Sequence, residues 1–269
     1  MILKTLGITA LLGLTSFGLL GKFEQSMVYP LDPTEVSPAN AGVPQMQAVR
    51  FTSDKETLVL WVAKPKAGKP VILYFQGNAG NLANRAPRFA SFQKRGYGVV
   101  AMAYRGSSGS SGKPSQKSIL RDAINLYQSL PNLVGDAPVV LYGESLGTGV
   151  AVLMADNPKL ANTPPAAMVL EAPYTSLPDI TRRIYPKFKP ILFLMKNRWP
   201  SLRHIRNLDI PLLVLHGTDD PLIPIEMGRE MFDASPATDN TFFAVQGAGH
   251  NDVWQTDAKV ALYAFLNRF

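Results

Sequence analysis

The sequence predicts an α/β fold, a mostly parallel central sheet with helices on both faces. Short apolar runs of about six residues, rich in Val, Ile and Leu, alternate with helix-like stretches, as strands buried on both faces do. A hydrophobic content of 46% against 17% charged residues is that of a globular chain. A length of 269 residues is enough for one large domain with a sizeable core.

Residues 1–24 stand apart. Lys4 precedes an apolar run that reaches Leu20, and Lys22 and Glu24 close it. A spanning helix needs roughly 17–25 apolar residues, so the run is at the short limit. A clean small-residue cleavage site is lacking. The run is expected to be a signal anchor, with a cleaved signal peptide as the alternative. Positive charge before the run and none net after it put the N-terminus inside. The protein is then membrane-anchored with its catalytic domain outside the cytoplasm, or secreted or periplasmic if the run is cleaved. Residues 25–47, proline-rich from Tyr29 to Pro44, read as an extended linker.

The domain spans 48–269. Strands are predicted at Ala48–Thr52, Glu56–Ala63, Val71–Gln76, Gly98–Ala103, Pro138–Tyr142, Ala166–Glu171, Pro211–His216 and Thr241–Val245. Helices are predicted from Lys113 to Leu130, with Ser115 as cap and Pro131 as stop, from Thr148 to Asp156, and from Asn251 to Phe269.

Gly143-Glu144-Ser145-Leu146-Gly147 lies between a predicted strand and a predicted helix, which is the setting of a nucleophile elbow. A serine on so sharp a turn presents its hydroxyl above the sheet, and a Cβ at either flanking glycine would collide with a neighbour. Serine needs a base, and the base an orienting carboxylate, in the order Ser, acid, His. Of three histidines, His250 follows the last strand in a glycine loop that can swing back to Ser145, whereas His204 and His216 are placed less well. The acid candidate is Asp220, after the penultimate strand, with Asp219 and Glu171 as competitors. An oxyanion hole needs two backbone N–H groups. Leu146 supplies one, and Asn78, or else Ala79, supplies the other from the turn after Gln76.

These pieces, with Tyr104-Arg105-Gly106, Glu171-Ala172-Pro173-Tyr174 and His216-Gly217-Thr218-Asp219-Asp220, resemble those of membrane-anchored serine hydrolases of the α/β-hydrolase superfamily over about residues 50–269. The resemblance implies the α/β-hydrolase fold and the triad Ser145, Asp220, His250. It selects Asp220 over Asp219, because the family's acid stands four residues after the histidine of the His-Gly motif. Two positions depart from the pattern: Gln76 replaces a histidine, and Ser107 an aromatic residue.

Residues from about 175 to 208 are too many for an ordinary loop. Their apolar residues, among them Phe188, Ile191 and Phe193, alternate with Arg182, Arg183, Lys187 and Lys189. They read as a small cap insertion, apolar inside and basic outside. The basic residues form either a solvated face or a contact for an anionic membrane surface, consistent with a net charge of +7.

The expected function is hydrolysis of a carboxylic ester or acyl thioester through an acyl-enzyme. The alternative is a catalytically silent scaffold that binds a membrane partner. No cofactor is expected, since the glycine loops lack nucleotide-binding spacing. No metal site and no nucleic-acid motif are apparent. The absence of cysteine excludes disulfides, thiolate metal sites and a cysteine nucleophile.

Overall fold

A computed structural model describes residues 21–269. The expected signal anchor, 1–24, lies outside the described residues except for 21–24. Among the described residues no helix is long and apolar enough to cross a membrane.

Eight strands form one sheet: β1 (Gln47–Ser53), β2 (Glu56–Ala63), β3 (Val71–Phe75), β4 (Gly98–Met102), β5 (Val139–Glu144), β6 (Ala167–Glu171), β7 (Leu212–Gly217) and β8 (Asn240–Val245). Their order is β1-β2-β4-β3-β5-β6-β7-β8. β2 pairs antiparallel with β1 and β4, and every later pairing is parallel.

The period of two along a strand divides the core. On β3, Leu73 and Phe75 face one side, and Ile72 and Tyr74 the other. Helices α3 (Gln116–Val134), α4 (Leu146–Ala155) and α7 (Ile225–Ala234) cover the first side through Ile119, Val150 and Met231. Helices α2 (Ala86–Lys94) and α8 (Thr256–Leu266) cover the second through Phe89, Phe92 and Leu262.

Several boundaries differ from expectation for physical reasons. Ser115 caps α3 by accepting the Ser118 N–H, but the helix runs past Pro131 and stops at Gly135, where φ is 81°. Proline removes one intrahelical donor, and the helix ends one turn later at a residue free to turn left-handed. α8 begins at Thr256, not Asn251, leaving the segment after His250 as a loop. α2 and α7 are additional. α2 buries only Ala86, Phe89 and Phe92, a thin stripe. α7 carries Gly228 at its centre, where a Cβ would run into the His216 ring.

Residues 25–47 lie against the domain. The first turns belong to α1 (residues 21–28). Beyond it Tyr29, Val43 and Met46 are buried, Leu31 bridges to Gly80, and Asp32 accepts from the Asn81 side chain at 2.6 Å. The stretch is not the extended linker expected: it turns over residues 38–42, where the Ala41 N–H donates to the Ser37 carbonyl and the Val43 N–H to the Pro38 carbonyl, and its buried apolar residues hold it down.

The insertion contains α5 (Leu177–Ile184), a 3-10 segment (Pro186–Leu194) and α6 (Ser201–Ile205). Of its apolar residues, Phe193 points to solvent, 74% exposed, and Trp199 lies apart from the site. The latter is fully buried and its indole N–H donates to Tyr29 Oη at 3.2 Å.

Candidate active site

β5 runs directly into α4 through Ser145, whose φ of 50° and ψ of −113° lie where few non-glycine residues sit. Its N–H donates to the Glu171 carbonyl at 2.9 Å. Both flanking glycines are required by space. A Cβ on Gly143 would stand 2.5 Å from the Gly147 carbonyl oxygen, and one on Gly147 would fall on the Phe75 carbonyl.

The β8–α8 loop brings His250 back over the sheet. Its Nε2 lies 2.9 Å from Ser145 Oγ and its Nδ1 2.7 Å from Asp220 Oδ2. A proton on Nδ1 satisfies both: the imidazole donates to Asp220 and the serine hydroxyl donates to Nε2. Asp220 Oδ1 accepts the N–H groups of Leu222 and Ile223 at 2.9 and 2.8 Å. Burial opposes the charge of Asp220, but the His250 hydrogen bond and these two N–H groups outweigh it and hold the carboxyl below its usual range.

The competing groups are occupied elsewhere. Asp219 is exposed and accepts from Thr218. Glu171 is buried and takes both Arg88 nitrogens and the Tyr142 hydroxyl. His216 is fully buried beside Asp220. Its Nε2 donates to the Ile223 carbonyl at 2.8 Å, and burial pushes its pKa down. His204 pairs with Asp156.

Leu146 is the first residue of α4, so its N–H has no carbonyl within the helix. Asn78 follows β3. Among the described residues neither N–H donates a hydrogen bond, and both residues line the same cavity as Ser145. Gln76, just before, is buried, with Nε2 donating to Ser107 Oγ at 3.3 Å.

Sequence reasoning missed a buried network under this floor. Arg85 holds Glu144 of the elbow through Nη2 to Oε1 at 2.8 Å and Nε to Oε2 at 3.1 Å. Its Nη1 donates to the Ala79 carbonyl at 2.8 Å. Burial alone would raise the Glu144 pKa, yet Arg88 and Arg85 hold it well below the ordinary value. A separation of 59 residues between Arg85 and Glu144 leaves no local pattern to read.

Above Ser145 is a cavity of about 300 Å³. Its walls are α1, α5, the 3-10 segment, and Leu222 and Ile223. Glu24 and Lys196 are the only charged residues lining it among the described residues. No cluster suited to a metal ion occurs among them.

Residues 66–209 match the family model described as serine aminopeptidase, S33. An uncharacterized protein of Mycobacterium tuberculosis is 34% identical over 202 residues, covering 74% of this chain and 69% of its own. Lysophosphatidylserine lipase ABHD12 of Danio rerio is 32% identical over 188 residues, covering 64% of this chain. The chain spans about half the length of that lipase, 49%. Among solved structures, a Pyrococcus furiosus esterase superposes with a TM-score of 0.70 at 19% identity, covering 89% of this chain and 98% of its own. An alpha-beta hydrolase of Vibrio vulnificus reaches 0.68 at 20% identity, covering 83% of this chain and 81% of its own. At such identities these two speak to the fold alone. With sheet order, elbow and family match in agreement, the chain belongs to the α/β-hydrolase superfamily, within the family described as serine aminopeptidase, S33.

Proposed function

We propose that this protein is a serine hydrolase that cleaves a carboxylic ester or acyl thioester carrying an apolar acyl chain. The observation that carries the reading is the hydrogen-bond chain Ser145–His250–Asp220 at the floor of an apolar cavity. Ser145 Oγ attacks the acyl carbonyl as His250 Nε2 takes its proton. Asp220 holds the tautomer and stabilises the imidazolium. The backbone N–H groups of Asn78 and Leu146 bind the oxyanion. His250 then protonates the leaving alcohol or thiol, and water attacks the acyl-enzyme with the roles repeated.

The lysophosphatidylserine lipase relatives favour a single-chain lipid ester as the substrate class. The family's description favours a second reading, an aminopeptidase. That activity needs a free anion to hold the substrate ammonium. Glu24 is the one carboxylate lining the cavity among the described residues, and its oxygens are engaged by the backbone of residues 196 and 197. The N-terminal run is proposed to hold the protein at a membrane with the catalytic domain outside the cytoplasm. If the run is cleaved, the domain is secreted or periplasmic.

The test is fluorophosphonate labelling with ester turnover. Wild type is expected to take the probe at Ser145, and Ser145→Ala to lose labelling and roughly 10³-fold or more in kcat. Full activity in Ser145→Ala sinks the assignment. A folded wild type that neither labels nor turns over any ester favours the silent scaffold.

A further inference from the structure

We propose that helix α1 is a wall of the acyl cavity, fastened there by Glu24, so that residues 21–28 determine which acyl chains the site accepts. The inference rests on the acyl reading of the cavity and goes beyond it.

Phe23 and Met27 stand four apart, on one face of α1. With Val28 they line the cavity that has Ser145 and Leu146 at its floor. The Phe23 ring meets Phe188 of the 3-10 segment edge-on, with centroids 6.3 Å apart and planes at 77°. The helix and the insertion therefore close the cavity from two sides.

Glu24 ties the two together. Its Oε1 accepts the Asn197 N–H at 2.7 Å, the Asn197 side-chain N–H at 2.9 Å and the Lys196 N–H at 3.1 Å. Asn197 is itself fixed, since its Oδ1 accepts the Tyr29 hydroxyl at 2.9 Å and the Gln116 N–H at 2.7 Å. The carboxylate thus fastens α1 to a point anchored on the body of the domain.

Phe23 and Met27 are still 51% and 45% exposed. They stand between cavity and solvent, so removing them opens the cavity sideways. An acyl chain long enough to reach α1 would lose apolar cover, and a short one would not. The chemistry selects one occupant, the unbranched alkyl chain of the ester whose carbonyl lies at Ser145.

The test separates binding from hydrolysis. Palmitate and octanoate are titrated calorimetrically into the purified full chain carrying Ser145→Ala, alone and with Phe23→Ala plus Met27→Ala, with Glu24→Gln, or with Met27→Trp. The double alanine change is expected to weaken palmitate roughly five- to thirtyfold and octanoate less. Glu24→Gln is a mild change on the rim and should weaken palmitate in the same direction. Met27→Trp adds bulk and should shift preference toward octanoate. Equal palmitate affinity in all four proteins overturns the proposal, as does a parent that binds no palmitate. A parent that binds palmitate, beside a Ser145-containing chain that hydrolyses no ester and takes no fluorophosphonate, overturns the hydrolase reading and leaves the wall standing. When Ser145 is kept and the same wall changes are made, ester turnover with one chain-length profile in every such chain overturns the wall alone.

Discussion

Arg85 bridges the two segments that would form the oxyanion hole: it holds the Glu144 carboxylate of the elbow and the Ala79 carbonyl of the loop carrying Asn78. Its side chain is 12% exposed and that of Glu144 17%. Breaking a buried pair by removing one partner costs about 3–5 kcal/mol. Partial solvent access brings the expectation for Arg85→Ala to about 2–3 kcal/mol. The loop also loses its tether, so kcat on a small ester should fall about ten- to a hundredfold. Arg85→Lys restores charge without the fork and should recover stability more than rate. Urea unfolding and steady-state kinetics measure both. An alanine variant with wild-type kcat would remove Arg85 from any positioning role.

Asp220→Asn should cost on the order of 10²–10⁴ in kcat, because an amide cannot stabilise the imidazolium. Asp219→Asn should cost little, since that side chain is exposed. Glu171→Gln should act mainly on stability, because its partners are Arg88 and Tyr142. The three variants are compared by kcat and by unfolding midpoint. Loss of catalysis in the Glu171 variant with a normal midpoint would reassign the acid.

Stability should fall steadily with acid. Asp220 and Glu144 are held below the usual carboxylate range in the folded protein. Their contribution is full above the unfolded value of about 4 and is lost as pH drops toward the lower folded values. His216 acts with the same sign. Burial lowers its pKa, so below about pH 6.5 the unfolded chain takes a proton that the folded one refuses. The urea midpoint should therefore decline gently below about pH 6.5 and steeply below about pH 4. A midpoint that rises on acidification contradicts this.

The parts of the candidate site that were legible in the sequence are those tied to strand ends. Ser145, Asp220 and His250 each follow a strand in a short motif, and the apolar runs placed those strands. Gln76 and Ser107 also stood out singly, as departures from the family pattern, and the structure puts them in contact with one another. What stayed hidden depends on distant pairing. Glu24 meets Asn197 across 173 residues, and Arg88 meets Glu171 across 83. No periodicity encodes such partners, and a lone arginine or glutamate reads as a solvated charge. Trp199 belonged by sequence to an apolar insertion, but a hydrogen bond to Tyr29, from a stretch read as linker, fixes it in the core.

The rim of the cavity should bind anionic membrane. Nine large apolar side chains are exposed among the described residues, and seven of them, all but Phe193 and Val260, line the cavity. Such clustering carries a cost in water of about 25 cal/mol per Å² of apolar surface. Arg182, Arg183, Lys187 and Lys189 are all exposed on the same insertion, and of these Arg182 pairs with Asp179. Near an anionic surface each basic residue is worth up to about 1 kcal/mol. The catalytic domain without residues 1–20 is therefore expected to bind anionic vesicles in low salt and neutral ones weakly. Replacing the four basic residues with Gln should weaken the anionic binding by up to about a thousandfold by the same arithmetic, while turnover of a small soluble ester stays near wild type. Cosedimentation with vesicles of the two compositions measures the first, and kinetics the second. Equal binding to both vesicle types, or unchanged binding of the Gln variant, would make these residues an ordinary solvated face.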